Sequence, residues 1–238
     1  MNILLTNDDG FHEYGIKLLK EILQDFGTVY TVAPSIVKSG TSASLTLRKK
    51  MKLIKYDQYN YELDGTPVDC VCYGLNALNV KFDLAVSGCN NGYNLSFDAV
   101  YSGTLGACFQ AMVQDIPTFA FSTDVNNFDV VKKYGKIIIK DLFAKKLLSS
   151  QYILNINFPN KEFQEIKGYK ITKQHFRKVQ YEHIEDEQGV ISLRTITDDG
   201  TDPCLDTVAV KEGFVSITPL QKTSFSIELF KKLNKEEK

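Results

Sequence analysis

The chain opens on a short apolar run, Asn2–Thr6, cut off by the polar string Asn7-Asp8-Asp9-Gly10. That pattern predicts a buried strand ending in a loop. Ile16, Leu19, Ile22, Leu23 and Phe26 then recur at helical spacing, and Thr28–Ala33 reads as a second strand, stopped by Pro34. Further strands are expected at Asp83–Ser87, Pro117–Phe121 and Tyr152–Asn157, with helices near Thr66–Leu78, Ser102–Gln114 and Phe128–Leu148. Strands separated by helical crossovers build a mainly parallel sheet covered on both faces. The predicted fold class is therefore α/β, a three-layer sandwich.

Two stretches leave that rhythm. Leu45–Leu63 reads as a hairpin, with alternation in Lys52–Tyr56 and Tyr59–Leu63. From about 168 to 200 the chain reads as extended polar β structure, including Val190–Thr197 beyond a turn at Gln188-Gly189. Both are expected as excursions from the sheet, and protruding hairpins often serve contacts between subunits, which suggests a homo-oligomer. The amphipathic segment carrying Ile227, Phe230 and Leu233 is expected to pack within the chain or across subunits. No Gly-, Pro- or Ser-rich linker divides the sequence, so residues 1–238 are read as one unit, a core of about 1–160 followed by a β excursion and C-terminal region.

Composition is ordinary for a globular protein, with 43% hydrophobic and 24% charged residues. Lys plus Arg total 28 and Asp plus Glu 29, a net charge of −1 that argues against nucleic acid polymers or anionic membranes as main ligands. The densest basic tract, Arg48, Lys49, Lys50 and Lys52, reads as a solvated strand flank. Five cysteines form no zinc or redox spacing. The start MNILLTNDDG has no signal-like pattern, and no run reaches the roughly 18 apolar residues of a membrane span. A cytoplasmic protein with reduced thiols is the expectation.

Ligands of open α/β sheets bind beyond the carboxyl ends of the strands. Three polar clusters follow predicted strands there: residues 7–10, Lys38-Ser39-Gly40-Thr41-Ser42, and the segment from Ser87 to Asn94. Adjacent carboxylates repel unless a cation lies between them. Asp8 and Asp9, with the Ser39 hydroxyl and the Asn90 amide oxygen, would make an incomplete oxygen shell for a hard divalent ion such as Mg²⁺. The alternative is that Asp8 only caps the helix starting near Glu13. Tyr101-Ser102-Gly103-Thr104 opens a helix, whose unpaired N–H groups suit a phosphate, with Ser102 and Thr104 hydroxyls as further donors. Here a plain N-cap by Ser102 is the competing reading. Gly40 and Thr41 are further candidate phosphate donors, against ordinary turn formation, and Asn90 is a candidate phosphate contact as well as a metal ligand.

Absent patterns narrow the field. His12, His175 and His183 are scattered, and there is no G-x-S-x-G elbow, phosphate loop or G-x-G-x-x-G. A phospho-accepting signalling receiver would need an Asp ending the strand at 83–87, which instead runs into Ser87-Gly88. A non-catalytic nucleotide-binding module is the other alternative.

Seven segments occur in order: ILLTNDDG (3–10), VAPSIVKSGTSAS (32–44), LDGTPVDCV (63–71), VSGCNNGYN (86–94), YSGTLGA (101–107), LNINFP (154–159) and EGFVSITPL (212–220). With them the chain resembles the SurE (survival protein E) family of 5′/3′-nucleotidases. The resemblance implies a Rossmann-like core with a swapped C-terminal region, in dimers or tetramers. It implies a phosphatase of nucleoside monophosphates, some members also acting on short polyphosphate, with one divalent ion (Mg²⁺ or Mn²⁺) per subunit. By the same resemblance the metal ligands are Asp8, Asp9, Ser39 and Asn90, and the phosphate contacts lie at Ser102-Gly103-Thr104. Asp8 or Asp9 is expected to take a proton from the attacking water, or one of them to be phosphorylated as the nucleophile. Departures are Asn91, where several members carry Arg, Tyr93, where Pro is frequent, and a poor match over 175–200.

Overall fold

The computed structural model describes residues 1–163, 165–176, 180–189, 191–196 and 200–221. The opening apolar run forms β1 (Asn2–Thr6), followed by α1 (Tyr14–Leu23) and β2 (Thr28–Pro34). A hairpin of β3 (Leu53–Lys55) and β4 (Asn60–Leu63) leads to α2 (Pro67–Ala77) and β5 (Leu84–Asn91). Then come α3 (Asp98–Tyr101), α4 (Gly103–Val113), β6 (Thr118–Thr123), α5 (Phe128–Ala144) and β7 (Tyr152–Asn157). The chain continues through β8 (Tyr169–Ile171), β9 (Gln180–Glu185), β10 (Ile191–Ile196), α6 (Asp206–Lys211) and β11 (Val215–Gln221).

Among the described residues, nine strands form one sheet in the order β3-β4-β2-β1-β5-β6-β7-β11-β8. The six strands from β4 to β7 run parallel; β3 and β11 are antiparallel to their neighbours β4 and β7. Both faces are covered. Ile3 and Leu5 point to the layer of α1 and α5, where they meet Ile16, Leu19, Val131 and Ile139. Leu4 and Ala85 point the other way, toward Cys70 and Val71 of α2 and Ala107 and Ala111 of α4. The core strands are thus apolar on both sides, as a doubly covered parallel sheet requires.

The hairpin of β3 and β4 forms where expected, yet it is no excursion: β4 pairs in parallel with β2, from Thr31↔Asn60 to Pro34↔Leu63, and extends the main sheet. Its alternating pattern shows a strand with one buried face but not which neighbour it finds. At the opposite edge β8 also joins the main sheet, through β11. Among the described residues only β9 and β10 stand apart, as a separate two-stranded antiparallel ribbon. Strand β5 runs on to Asn91 instead of stopping at Ser87, because β6 keeps pairing with it (Asn90↔Ser122, Asn91↔Thr123) beyond a register shift after Ser87. Val190, Thr197 and the amphipathic positions Ile227, Phe230 and Leu233 lie outside the described residues.

The topology marks one place for a ligand. From β1 the chain moves through β2 to β4 on one side, then crosses by α2 to β5 on the other. The order reverses between β1 and β5, and the crevice beyond their carboxyl ends is where such sheets bind.

Candidate active site

The loops after β1 and β2 are laced together at that crevice. The Asn7 amide donates to the Gly10 carbonyl at 2.9 Å and shapes the turn. The Lys38 N–H donates to the Asp8 carbonyl at 2.7 Å, and the Phe11 N–H to the Pro34 carbonyl at 2.8 Å. The strand has ended before the acidic pair, so the two side chains need not alternate across the sheet. Asp8 is 4% exposed and accepts the Thr104 hydroxyl of α4 on Oδ1. Asp9 turns toward β5, its Oδ2 accepting the Asn91 N–H at 3.0 Å. Helix α1 is capped by Glu13 without a side-chain bond, so the reading of Asp8 as its cap does not hold.

Helix α4 is pressed against this pair. A Cβ placed on Gly103 would lie 2.9 Å from Asp8 Cβ, 2.9 Å from Thr41 Oγ1 and 3.1 Å from Asp8 Oδ2. Separations below about 3 Å between such atoms are steric overlap, so only glycine lets the three groups meet. One turn on, a Cβ on Gly106 would come within 2.1 Å of the Ser42 carbonyl oxygen, and Ser42 itself holds the Tyr101 and Val100 carbonyls by its N–H (2.9 Å) and hydroxyl (2.8 Å). The clusters from β1, from the loop after β2 and from the start of α4 therefore converge on one point.

Electrostatics at that point are unfavourable without a cation. Burial pushes the Asp8 carboxyl up to about 6; the Thr104 hydroxyl pulls it down and the Asp9 charge raises it further. Burial also raises Asp9, the Asn91 N–H opposing this and Glu13 adding to it. The remaining carboxylate oxygens, the Asn90 carbonyl oxygen (its amide nitrogen donates to the Gly92 carbonyl at 2.9 Å) and the Ser39 hydroxyl are all hard oxygen donors. Among the described residues no group of three or more His, Cys, Asp or Glu gathers. Two partly desolvated carboxylates with neutral oxygens fit Mg²⁺ or Mn²⁺ better than zinc. Because a bound ion requires both carboxylates ionised, its affinity should fall about tenfold per pH unit below about 6. Calorimetric titration with Mn²⁺ at a series of pH values reads this slope; a flat profile would separate Asp8 from the ion.

The predicted site residues fall in two groups. Gly103 packs against both Asp8 and Thr41 and the Thr104 hydroxyl bonds Asp8, with Asp9 joined through Asn91 to the end of β5 that carries Asn90. Ser39 and Gly40 are exposed on the adjoining turn, which the Thr41 hydroxyl closes onto the Lys38 carbonyl at 2.8 Å. Gly40, at φ +72° with open space around it, serves the turn. Ser102 is the N-cap of α4, accepting the Leu105 N–H at 3.1 Å. The Thr104 hydroxyl is committed to Asp8, so the donors α4 offers a phosphate are chiefly backbone N–H groups.

Sequence reasoning missed several supports. The Asn91 side chain accepts the Asn126 N–H at 2.7 Å and ties β5 to the loop after β6. Buried Asn94 holds Asn157 and Ser122 (2.9 and 2.8 Å), while fully buried Asp206 accepts the Ser96 N–H at 2.8 Å, bracing the segment before α4. Asp69 completes a capping box with Thr66 and also accepts the Thr46 N–H (2.9 Å) and hydroxyl (2.6 Å). The spacing Thr-Pro-Val-Asp at 66–69 was a readable signal for the last of these.

The chain is similar to known proteins over most of its length. The family model described as Survival protein SurE matches residues 3–181. The 5′-nucleotidase SurE of Histophilus somni is 38% identical over 234 residues, spanning 93% of this chain and 92% of its own. That of Haemophilus influenzae is 37% identical over 235 residues, spanning 93% and 91%. The crystal structure of SurE protein from Aquifex aeolicus superimposes with a TM-score of 0.86 at 33% identity, covering all of both chains.

Proposed function

The chain belongs to the survival protein SurE family, and from that membership together with the site we propose that it is a divalent-metal-dependent phosphohydrolase of nucleoside monophosphates. One observation carries the reading: the α4 start, Asp8 and Thr41 meet where only Gly103 leaves room, which joins an anion-binding helix terminus to a carboxylate pair. Asp8, Asp9, Ser39 and Asn90 are the proposed ligands of one Mg²⁺ or Mn²⁺ ion. When bound, such an ion polarises a phosphoryl oxygen and lowers the pKa of water. The backbone N–H groups at Gly103 and Thr104, with Gly40, Thr41 and the Ser102 hydroxyl, are the proposed cradle for the phosphoryl oxygens. Of the two carboxylates, Asp9 is the less buried, and it is the group proposed to accept the proton of an attacking water.

A groove of about 1160 Å³ adjoins Ser42 and Ser102, walled by Val100, Phe109, Gln174 and Phe176. Its size and aromatic walls support it as the place of the nucleoside. Phosphate release from 5′- and 3′-nucleoside monophosphates and short polyphosphate, each with EDTA, Mg²⁺ or Mn²⁺, tests the proposal. Metal-dependent release from at least one monophosphate is expected; none with any metal would reduce the protein to a binding module.

The ribbon of β9 and β10 supports a homodimer or homotetramer. A lone two-stranded ribbon is marginal in water, and Ile184 (47% exposed) and Ile191 (62%) give it apolar surface to bury. Light scattering should return a multiple of the 26.9 kDa chain mass; a monomer would remove this assignment.

A further inference from the structure

Asp206, the first residue of α6, is a fully buried carboxylate that the proposed chemistry does not use. An aspartate in the first turn of a helix ordinarily serves that helix's own N-terminus, and the bond from the Thr207 N–H to Oδ1 at 2.8 Å is of that kind. Two further bonds are not. The same Oδ1 accepts the His175 N–H at 3.0 Å, and Oδ2 accepts the Ser96 N–H at 2.8 Å. A buried charge is costly unless hydrogen bonds compensate it. Here these two donors are backbone groups of segments 31 and 110 positions away.

Those two segments are also bonded directly to each other. The Ser96 hydroxyl donates to the His175 carbonyl at 2.5 Å, and the Gln174 amide to the Ser96 carbonyl at 2.6 Å. The N–H, carbonyl and hydroxyl of Ser96 are thus all committed to one joint. Ser96 stands at φ +53°, where residues other than glycine are uncommon and persist only when their surroundings hold them. From one side of the joint the chain runs through Phe97 and Val100 to Ser102; the other side carries Gln174 and Phe176. Val100, Ser102, Gln174 and Phe176 line the large groove, and the Phe97 and Phe176 rings meet edge to face with centroids 5.5 Å apart. Asp206 and Ser96 have no exposed surface, so neither touches a ligand there.

We propose that Asp206 is a positioning residue for the nucleoside: by holding Ser96 and His175 it fixes the spacing of the two groove walls. This rests on the groove being the nucleoside's place, and it is tested with and without turnover. Asn at 206 keeps the shape but puts an NH₂ group where one accepting oxygen stood, opposite a backbone N–H, so one wall is released. Ser96→Ala removes only the hydroxyl bond across the joint. Full-length protein in EDTA is titrated with adenosine and with uridine by saturation-transfer NMR. Wild-type protein should bind at least one of them saturably. Asp206→Asn should weaken that affinity by about tenfold, the contribution of one charge-assisted hydrogen bond, and Ser96→Ala by roughly threefold. In Mn²⁺, the ratio of kcat/KM for a nucleoside monophosphate to kcat/KM for phenyl phosphate should fall by the same factors. Both esters use the phosphate cradle, and the nucleotide alone fills the groove, so a general loss of structure would lower both rates and leave the ratio where it was. Variants that are folded by circular dichroism yet keep the wild-type nucleoside affinity or the wild-type ratio overturn the proposal, as does wild-type protein that binds neither nucleoside. Where Asp206→Asn does not fold, Ser96→Ala decides. Nucleoside binding in the expected order, without phosphate release from any monophosphate, would remove the nucleotidase reading and uphold the role of Asp206.

Discussion

Replacing Asp8 by Asn should abolish metal-dependent phosphate release while making the metal-free protein more stable at neutral pH. The two effects share one cause. The buried Asp8 carboxyl is pushed up to about 6 from an ordinary value of 3.8, burial being the largest contribution. A carboxylate whose folded pKa lies above its unfolded pKa contributes most below the unfolded value, and that contribution is lost as pH rises through about 6. At neutral pH the ionised group therefore costs the apo fold roughly 3 kcal/mol. Asn keeps the shape and still accepts from the Thr104 hydroxyl, so about 1–3 kcal/mol should return, several degrees in Tm. Loss of a charged ligand should meanwhile lower turnover by about a thousandfold or more, an effect of about 4 kcal/mol. Thermal unfolding in EDTA and phosphate release in Mn²⁺, on the same two proteins, check both halves. A variant that is less stable in EDTA at pH 7 would mean that Asp8 is held by interactions stronger than its burial cost.

Gly103→Ala should disrupt the site as severely as loss of a ligand, from a position that carries no functional group. Inside a helix the change would ordinarily stabilise by about 1 kcal/mol. Here the added methyl would overlap Asp8 Cβ and Thr41 Oγ1, each at 2.9 Å. Overpacking of this kind costs about 1–3 kcal/mol, which outweighs the propensity gain. Relief requires α4 to lift off Asp8 or Asp8 to turn away, and a displacement on the order of 1 Å in a catalytic site costs about a hundredfold in rate. Gly189→Ala, in the turn between β9 and β10 and outside the proposed site, is the comparison, since a Cβ there would meet nothing closer than 3.8 Å and only its φ of +77° resists a side chain. It should cost about 1 kcal/mol and little activity. Equal kinetic defects in the two variants would contradict the convergence of α4 on Asp8.

Strands with a strong local pattern are legible from residue order alone. Asn2–Thr6 and Tyr152–Asn157 are apolar runs stopped by polar residues, and they form β1 and β7 at those bounds. The end of β5 is not legible in this way, because Cys89-Asn90-Asn91 has no strand pattern and is extended by its pairing with β6. Val215-Ser216-Ile217-Thr218 does alternate like a strand, but the place of β11 between β7 and β8, distant in sequence, is not legible. In the site, the acidic pair and the Ser102-Gly103-Thr104 turn can be named from their residue types. Their relation cannot. The Thr104 hydroxyl reaches Asp8 across 96 positions, and the meaning of Gly103 lies in the side chain it lacks. Residue types signal what chemistry is available; contacts between remote segments decide which hydroxyl is spent on structure and which faces a ligand.

The central claim is that a carboxylate pair and a helix terminus form one metal and phosphate site. A crystal of the wild-type protein grown with Mn²⁺ and inorganic phosphate, measured for anomalous scattering of manganese, tests it most directly. One peak per chain is expected at about 2.1 Å from oxygens of Asp8 and Asp9, with Ser39 and Asn90 around it and a phosphate on the N–H groups of Gly103 and Thr104. A peak bound elsewhere, or none at these carboxylates with phosphate absent from the start of α4, would contradict it.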